Sequence, residues 1–253
     1  MPNAFPKLPA PASSLAFLLD IDGTILDIAP TPHEVRVPDC LREALIRLDQ
    51  LTGNSLALVS GRPLEDIDRI FTPLRLAAIG GHGAELRISK DAAAIDTAVP
   101  LPPELRLQIE AIAGLGNGLQ FEDKGYSVAL HYRLAPELKD TVEQAVGAVC
   151  AKVPDGILEV LQGKAVVEVK RIGFEKGTAV RELMRYPPFA GRRPVFLGDD
   201  VTDETVFAVL PEWNGIGLSV GRKFLGAADW FATPGDVRKW LAEISQQDTI
   251  ASA

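Results

Sequence analysis

The sequence predicts an α/β protein: a doubly wound parallel sheet core with a smaller α+β unit inserted into it. Two observations carry this prediction. Short, near-continuous apolar runs alternate with helical patterns early in the chain and again near its end, as parallel strands covered on both faces require. Between them lies a stretch that reads helix-strand-strand-helix-strand-strand, with hairpin turns between paired strands.

Taken in order, Leu15-Ala16-Phe17-Leu18-Leu19 reads as a buried strand ending at Asp20. Leu41, Leu45, Ile46 and Leu48 mark a helix behind Pro38, with Asp39 as its cap. Leu56–Val59 is a second strand, ending at Ser60-Gly61, and Pro63 opens a helix with Glu65 and Asp66 in its first turn. Leu76–Ile79 is a third strand, stopped by Gly80-Gly81. The insert follows: a helix over 104–113, strands over 118–121 and 126–133, a helix over 136–153, and strands over 157–161 and 165–171. Their turns are expected at Asp123-Lys124-Gly125 and Gln162-Gly163-Lys164. A helix then runs from Glu175-Lys176-Gly177 to Met184, and strands return at Pro194–Leu197 and Ile216–Val220. The predicted division is a proline-rich leader (1–12), a core (13–102 and 173–253) and an inserted unit (103–172).

Composition bounds the function. The chain has 253 residues, 47% hydrophobic and 24% charged, ordinary for a folded soluble protein. A net charge of −8 argues against non-specific nucleic-acid or anionic-membrane binding, which need clustered Lys and Arg. Cys40 and Cys150 are too few for a disulfide framework and are expected to be buried thiols in a reducing compartment. The leader lacks a signal-peptide pattern and is expected to be loosely ordered. No apolar run approaches the roughly 20 residues of a membrane span. A cytoplasmic protein follows, and nothing in the sequence calls for more than a monomer.

Four polar clusters fall where parallel strands end or a helix starts, the side on which open sheets bind ligands. In Asp20-Ile21-Asp22-Gly23-Thr24, two carboxylates at i and i+2 repel unless a cation or a proton bridges them, although a simple turn would also use Asp22 and Gly23. Ser60-Gly61-Arg62 can offer a hydroxyl and backbone N–H groups to an anion, or serve as an ordinary helix cap. Lys176 opposes its helix dipole, which suits either a bound anion or a solvated lysine. In Gly198-Asp199-Asp200-Val201-Thr202-Asp203-Glu204, the dipole accounts for Asp203 and Glu204 better than for Asp199 and Asp200. Hard oxygen donors of this kind suit Mg²⁺.

In this order the four clusters resemble haloacid-dehalogenase-type (HAD) phosphatases, whose pattern is Asp-x-Asp-Gly-Thr, Ser or Thr, Lys, and Gly-Asp-x₃-Asp. The inserted unit looks like the larger of that superfamily's caps. Leu58-Val59-Ser60-Gly61-Arg62, Gly81-His82-Gly83-Ala84-Glu85, Glu122-Asp123-Lys124-Gly125-Tyr126-Ser127, His131-Tyr132-Arg133 and Gly163-Lys164-Ala165-Val166-Val167-Glu168 narrow the likeness to trehalose-6-phosphate phosphatases. Arg171-Ile172-Gly173-Phe174-Glu175 departs from related sequences, in a linker.

The resemblance implies a fold, a reaction and a set of roles. Asp20 would be the nucleophile and Asp22 the acid and base. One Mg²⁺ would be held by the Asp20 carboxylate, the Asp22 carbonyl and Asp199, with Asp200 and Asp203 supporting it through waters or hydrogen bonds. Ser60, Gly61 and Lys176 would hold the phosphate. Glu122 paired with Lys124, and Lys164 paired with Glu168, would read the sugar of trehalose 6-phosphate; as plain cross-strand ion pairs they would be worth about 0.2–1 kcal/mol each. Arg62, and more weakly His82, would line the cleft beside the cap. The two crossings, near Pro100–Pro103 and Arg171–Gly173, would permit hinged closure. The rivals are a phosphatase of the same fold for sucrose phosphate or a hexose phosphate, a silent sugar-phosphate-binding domain, and a phosphomutase.

Overall fold

The computed structural model describes residues 6–8, 10–29, 34–96 and 99–246, which form two compact units. The first draws on 6–8, 10–29, 34–96 and 175–246, the second on 99–174.

The first unit opens with β1 (Leu15–Leu19), α1 (Asp39–Leu51), β2 (Leu56–Val59), α2 (Leu64–Phe71), β3 (Ala77–Gly80), β4 (Glu85–Arg87) and β5 (Ile95–Asp96). The second unit holds α3 (Pro103–Glu110), β6 (Gln120–Asp123), β7 (Ser127–His131), α4 (Lys139–Cys150), β8 (Leu158–Gly163) and β9 (Val166–Arg171). The chain then returns to the first unit as α5 (Lys176–Leu183), β10 (Arg193–Gly198), α6 (Glu204–Val209), β11 (Ile216–Val220), β12 (Asp229–Phe231) and α7 (Pro234–Ile244).

The main sheet has the order β12-β11-β10-β1-β2-β3-β4-β5. Six strands are parallel; β4 and β5 extend one edge antiparallel. Alternation along β1 shows why both faces are apolar. Leu15, Phe17 and Leu19 pack with α1, α2 and α7, whereas Ala16 and Leu18 pack with α5 and α6. Successive strands run outward from β1 on one side as β2 and β3, and on the other as β10, β11 and β12. The loops after β1 and β10 therefore leave neighbouring strands at the point where the strand order reverses, the usual ligand crevice of such sheets.

The second unit is the antiparallel sheet β6-β7-β9-β8. Val128, Leu130, Val167 and Val169 pack with Leu105, Ile109, Val142 and Val146 of α3 and α4. Period-two alternation puts Ser127, Ala129, Glu168 and Lys170 on the opposite face.

Several expectations need correction. The helix expected over 104–113 is α-helical only to Glu110 and continues as a 3₁₀ turn through Leu115; that over 136–153 opens with a 3₁₀ turn before α4. Each hairpin turn lies later than expected, because β6 runs on through Asp123 and β8 through Gly163; Ala165 takes φ 62° in the second turn. The second unit reaches back past the expected start at 103, since Leu101 belongs to its core. Asp39 is the first residue of α1 and pairs with Arg42 at 2.9 Å instead of capping; Pro38 holds the cap position. Cys40 is exposed and Cys150 half-buried. The later part of the leader is tied down: Trp240 Nε1 donates to the Pro6 carbonyl at 2.9 Å, and Leu8 and Ala10 pack on the core; residues 1–5 and 9 lie outside the described residues. No helix among the described residues is long and apolar enough to cross a membrane.

Candidate active site

β1 and β10 lie in register, Leu19 beside Leu197, so the loops that follow them present Asp20 and Asp199 side by side. Asp20 is 4% and Asp199 6% exposed, a burial that demands partners for both carboxylates. Thr24 supplies one partner to each. Its hydroxyl lies 2.8 Å from Asp20 Oδ2 and 3.1 Å from Asp199 Oδ1. Sequence reasoning gave Thr24 no role; its position four residues after Asp20 in a tight turn was the available signal. Gly23 makes that turn possible. It sits at φ 87°, and a Cβ there would fall 2.2 Å from Asp199 Oδ2.

Lys176, at the first position of α5, is 3% exposed, which removes the solvated-lysine reading. Its ammonium donates to Asp20 Oδ1 at 2.8 Å and to Asp203 Oδ1 at 2.7 Å. The other Asp203 oxygen accepts the Asp199 and Asp200 backbone N–H groups at 2.9 and 3.0 Å. Asp203 thereby fixes both the lysine and the loop that carries Asp199. Asp200 accepts from the Val201 N–H at 2.6 Å and caps the short 3₁₀ turn.

Charge balance is uneven. Asp20, Asp199 and Asp203 are buried with ligand oxygens within 4.8 Å of one another, facing one ammonium. Burial pushes the Asp20 carboxyl well above its ordinary value; Lys176 pulls it down, but Asp203 and Asp199 raise it further. Burial lowers the Lys176 ammonium, yet Asp20 and Asp203 outweigh this and hold it protonated. A trio of hard oxygen donors with unbalanced negative charge is the chemistry a small divalent cation satisfies.

The remaining core candidates gather on the loop after β2. Arg62 grips Asp22 with two hydrogen bonds, 2.6 and 2.7 Å, so the carboxylate read as acid and base is held in a defined place. The Ser60 hydroxyl is 2% exposed and accepts the Arg62 backbone N–H at 3.1 Å. Gly61 lies against His82, whose ring a Cβ would meet at 2.3 Å. Glu85 accepts the Leu64 N–H at 2.7 Å, satisfying the start of α2 from a different loop.

In the second unit the expected pairing differs. Lys124 pairs with Glu168, 3.3 Å to each oxygen, and the Ser127 hydroxyl donates to Glu168 at 2.6 Å. Glu122 instead pairs with His131 at 2.8 Å. The register explains this, because Glu122, Ala129 and Glu168 are opposite one another across three strands. Burial raises the Glu122 carboxyl, but the His131 hydrogen bond and the Lys124 charge prevail and hold it below its usual value. Lys164 is exposed at the β8–β9 turn, and its carbonyl accepts from Arg133 at 3.1 Å.

Comparison with known proteins gives a consistent family. The trehalose-phosphatase family model matches residues 18–225. Trehalose-6-phosphate phosphatase from Escherichia coli is 35% identical over 246 residues, covering 97% of this chain and 92% of that protein. The C-terminal domain of C. albicans trehalose-6-phosphate phosphatase superposes with a TM-score of 0.81 at 22% identity, covering 93% of both chains. A phosphatase of the HAD superfamily from Bacteroides thetaiotaomicron superposes with a TM-score of 0.59 at 17% identity, covering 96% of this chain and 99% of that one, and so shares the fold.

Proposed function

This chain belongs to the trehalose-phosphatase family, and from that premise we propose that it hydrolyses trehalose 6-phosphate with Asp20 as the attacking group. The observation that carries the assignment is the buried Asp20, bridged to Asp199 by Thr24 and to Asp203 by Lys176.

Phosphoryl transfer needs in-line positioning and neutralisation of charge more than it needs covalent ingenuity. Asp20 Oδ attacks phosphorus, the sugar oxygen leaves with a proton from Asp22, and an aspartyl-phosphate forms. Water then attacks that phosphorus, Asp22 takes its proton, and Asp20 is released with inorganic phosphate. In the resting arrangement Arg62 occupies both Asp22 oxygens, so Asp22 gives up at least one of these bonds to carry a proton. Lys176 stays on Asp20 and faces the incoming phosphate with a fixed positive charge. The Ser60 hydroxyl, which accepts from Arg62, has its own proton to donate to a phosphate oxygen, next to the Gly61 N–H.

The donor set fits Mg²⁺, with Asp20, Asp199 and the Asp22 carbonyl as the proposed ligands and Asp203 and Asp200 holding their loop. When bound, the cation offsets the repulsion between the Asp20 carboxylate and the phosphate dianion. Gly23→Ala is expected to weaken Mg²⁺ binding by at least about tenfold, because the added methyl displaces Asp199 and its ligand oxygen. Titration calorimetry reads this; unchanged affinity would contradict the placement of Asp199.

Glu122, Lys124 and Glu168 present paired donors and acceptors on the face of the smaller sheet away from α3 and α4, suited to sugar hydroxyls, with Lys164 at the β8–β9 turn. Glu122→Gln is expected to lower kcat/KM for trehalose 6-phosphate roughly 10–100-fold, the size of one charge-assisted hydrogen bond. Its hydrolysis of para-nitrophenyl phosphate, which has no sugar, is expected to be unchanged. Equal losses on both substrates would remove the sugar-reading role. The covalent step is tested by acid-quenching the enzyme during turnover and mapping phosphate by mass spectrometry. Label on the peptide containing Asp20 supports the scheme, and its absence under saturating substrate counts against it.

A further inference from the structure

In the smaller sheet β7 lies between β6, which carries Glu122, and β9, which carries Glu168. Ser127, Ala129 and His131 of β7 share a face with both glutamates. The register puts both glutamates level with Ala129, whose side chain has no hydrogen-bonding group. Their partners on β7 are the diagonal neighbours instead, one at each end of the strand. Ser127 meets Glu168 at 2.6 Å and His131 meets Glu122 at 2.8 Å.

The two pairs differ in what they leave open. Glu168 is 6% exposed, and Lys124 and Ser127 between them meet both its oxygens. The Glu122 side chain is 25% exposed; His131 meets Oε2, and Oε1 has no hydrogen bond among the described residues. An ionised carboxylate only accepts, so the His131 Nε2 carries the proton and donates it to this bond. Burial acts to raise the Glu122 carboxyl, and the His131 hydrogen bond is the largest influence in the opposite direction. A part-exposed glutamate without such a bond samples several rotamers, and that freedom is lost again whenever a ligand binds.

We propose that His131 is a positioning residue for substrate selection. It fixes the Glu122 side chain and, by occupying Oε2, leaves Oε1 as a single aimed acceptor for a sugar hydroxyl. This rests on the reading of Glu122 as a sugar contact. His131 acts through Glu122 and touches neither the phosphate nor Asp20, so its loss costs recognition of the sugar and not the chemistry at phosphorus.

The test is a double-mutant cycle on kcat/KM for trehalose 6-phosphate with Glu122→Ala, His131→Phe and the pair, and with para-nitrophenyl phosphate as the sugar-free control. His131→Phe keeps a ring but has no donor, and it is expected to lower kcat/KM for trehalose 6-phosphate about tenfold. Hydrolysis of para-nitrophenyl phosphate is expected to be unchanged, which shows that the variant is folded. In the Glu122→Ala background the same change is expected to cost no more than about twofold, because the side chain it holds is gone. His131→Gln, whose amide can donate to the same oxygen, is expected to come within about threefold of the wild type. Four results would overturn the positioning role alone: equal losses on both substrates, a tenfold loss that persists beside Glu122→Ala, no recovery in His131→Gln, or no loss in His131→Phe where Glu122→Ala shows one. A Glu122→Ala enzyme that matches the wild type on trehalose 6-phosphate would instead remove the sugar-reading role of Glu122, and this inference with it.

Discussion

Asp20→Asn is expected to abolish phosphate release, by about four orders of magnitude or more, while leaving the metal-free protein at least as stable as the wild type. The rate loss follows from removing the proposed attacking group, which typically costs this much or more. The stability follows from the balance at the site. Burial together with Asp203 and Asp199 outweighs Lys176, so ionising Asp20 in the folded chain is unfavourable compared with the unfolded chain. A neutral amide of the same shape escapes that penalty. The sign extends to pH. A carboxyl raised on folding binds more protons in the folded state, so its contribution falls as pH rises from the ordinary carboxylate value through the raised one. Chemical denaturation without divalent cation should therefore show the wild type losing stability relative to Asp20→Asn across that window. With Mg²⁺ added the wild type is expected to gain stability and the variant to gain less. A variant that unfolds far more easily than the wild type at neutral pH would show that the Lys176–Asp20 pair dominates instead.

Lys176→Met is expected to be the most destabilising single change in the core, by about 3–5 kcal/mol, and to be inactive. Methionine fills most of the lysine's volume, so the effect is electrostatic. It leaves Asp20 and Asp203, both less than a tenth exposed, facing each other and Asp199 without the ammonium that joins them. Lys176 stays protonated throughout the working range, so titration of the ammonium itself removes nothing in mild alkali and takes this contribution away only as pH rises from the ordinary lysine value through the raised one. Denaturant unfolding at pH 7 checks the magnitude. A further mark separates this from a packing defect: the loss should shrink in mild acid, where protonation of Asp20 removes one of the stranded charges. A loss independent of pH would point to packing.

The parts of this arrangement legible in the sequence were those that burial writes plainly. β1, β2 and β10 are uniformly apolar because helices cover both faces, and each ends in the polar residues that form the site. β4, β5 and β12 went unread because they are edge or near-edge strands of two or three residues, with Ile95 and Trp230 45% and 40% exposed. Chemistry was readable as residue types, but partnership was not. Lys124 meets Glu168 from 44 residues away because of β-sheet register, and no local spacing announces that choice. Arg62 was read as a cleft residue, whereas its guanidinium holds Asp22 from 40 residues away. Thr24 and Glu85 sat inside quoted motifs, yet their roles, joining two carboxylates and satisfying a helix start, exist only once the loops are folded.

The most direct test of the catalytic assignment is phosphate release by the wild type and Asp20→Asn from trehalose 6-phosphate, glucose 6-phosphate and sucrose 6-phosphate, with Mg²⁺ and with the metal chelated. Release is expected from trehalose 6-phosphate alone, dependent on Mg²⁺ and absent in the variant. Comparable release from another sugar phosphate would contradict the reading of Glu122, Lys124, Lys164 and Glu168, and release that persists in Asp20→Asn would contradict the account at its centre.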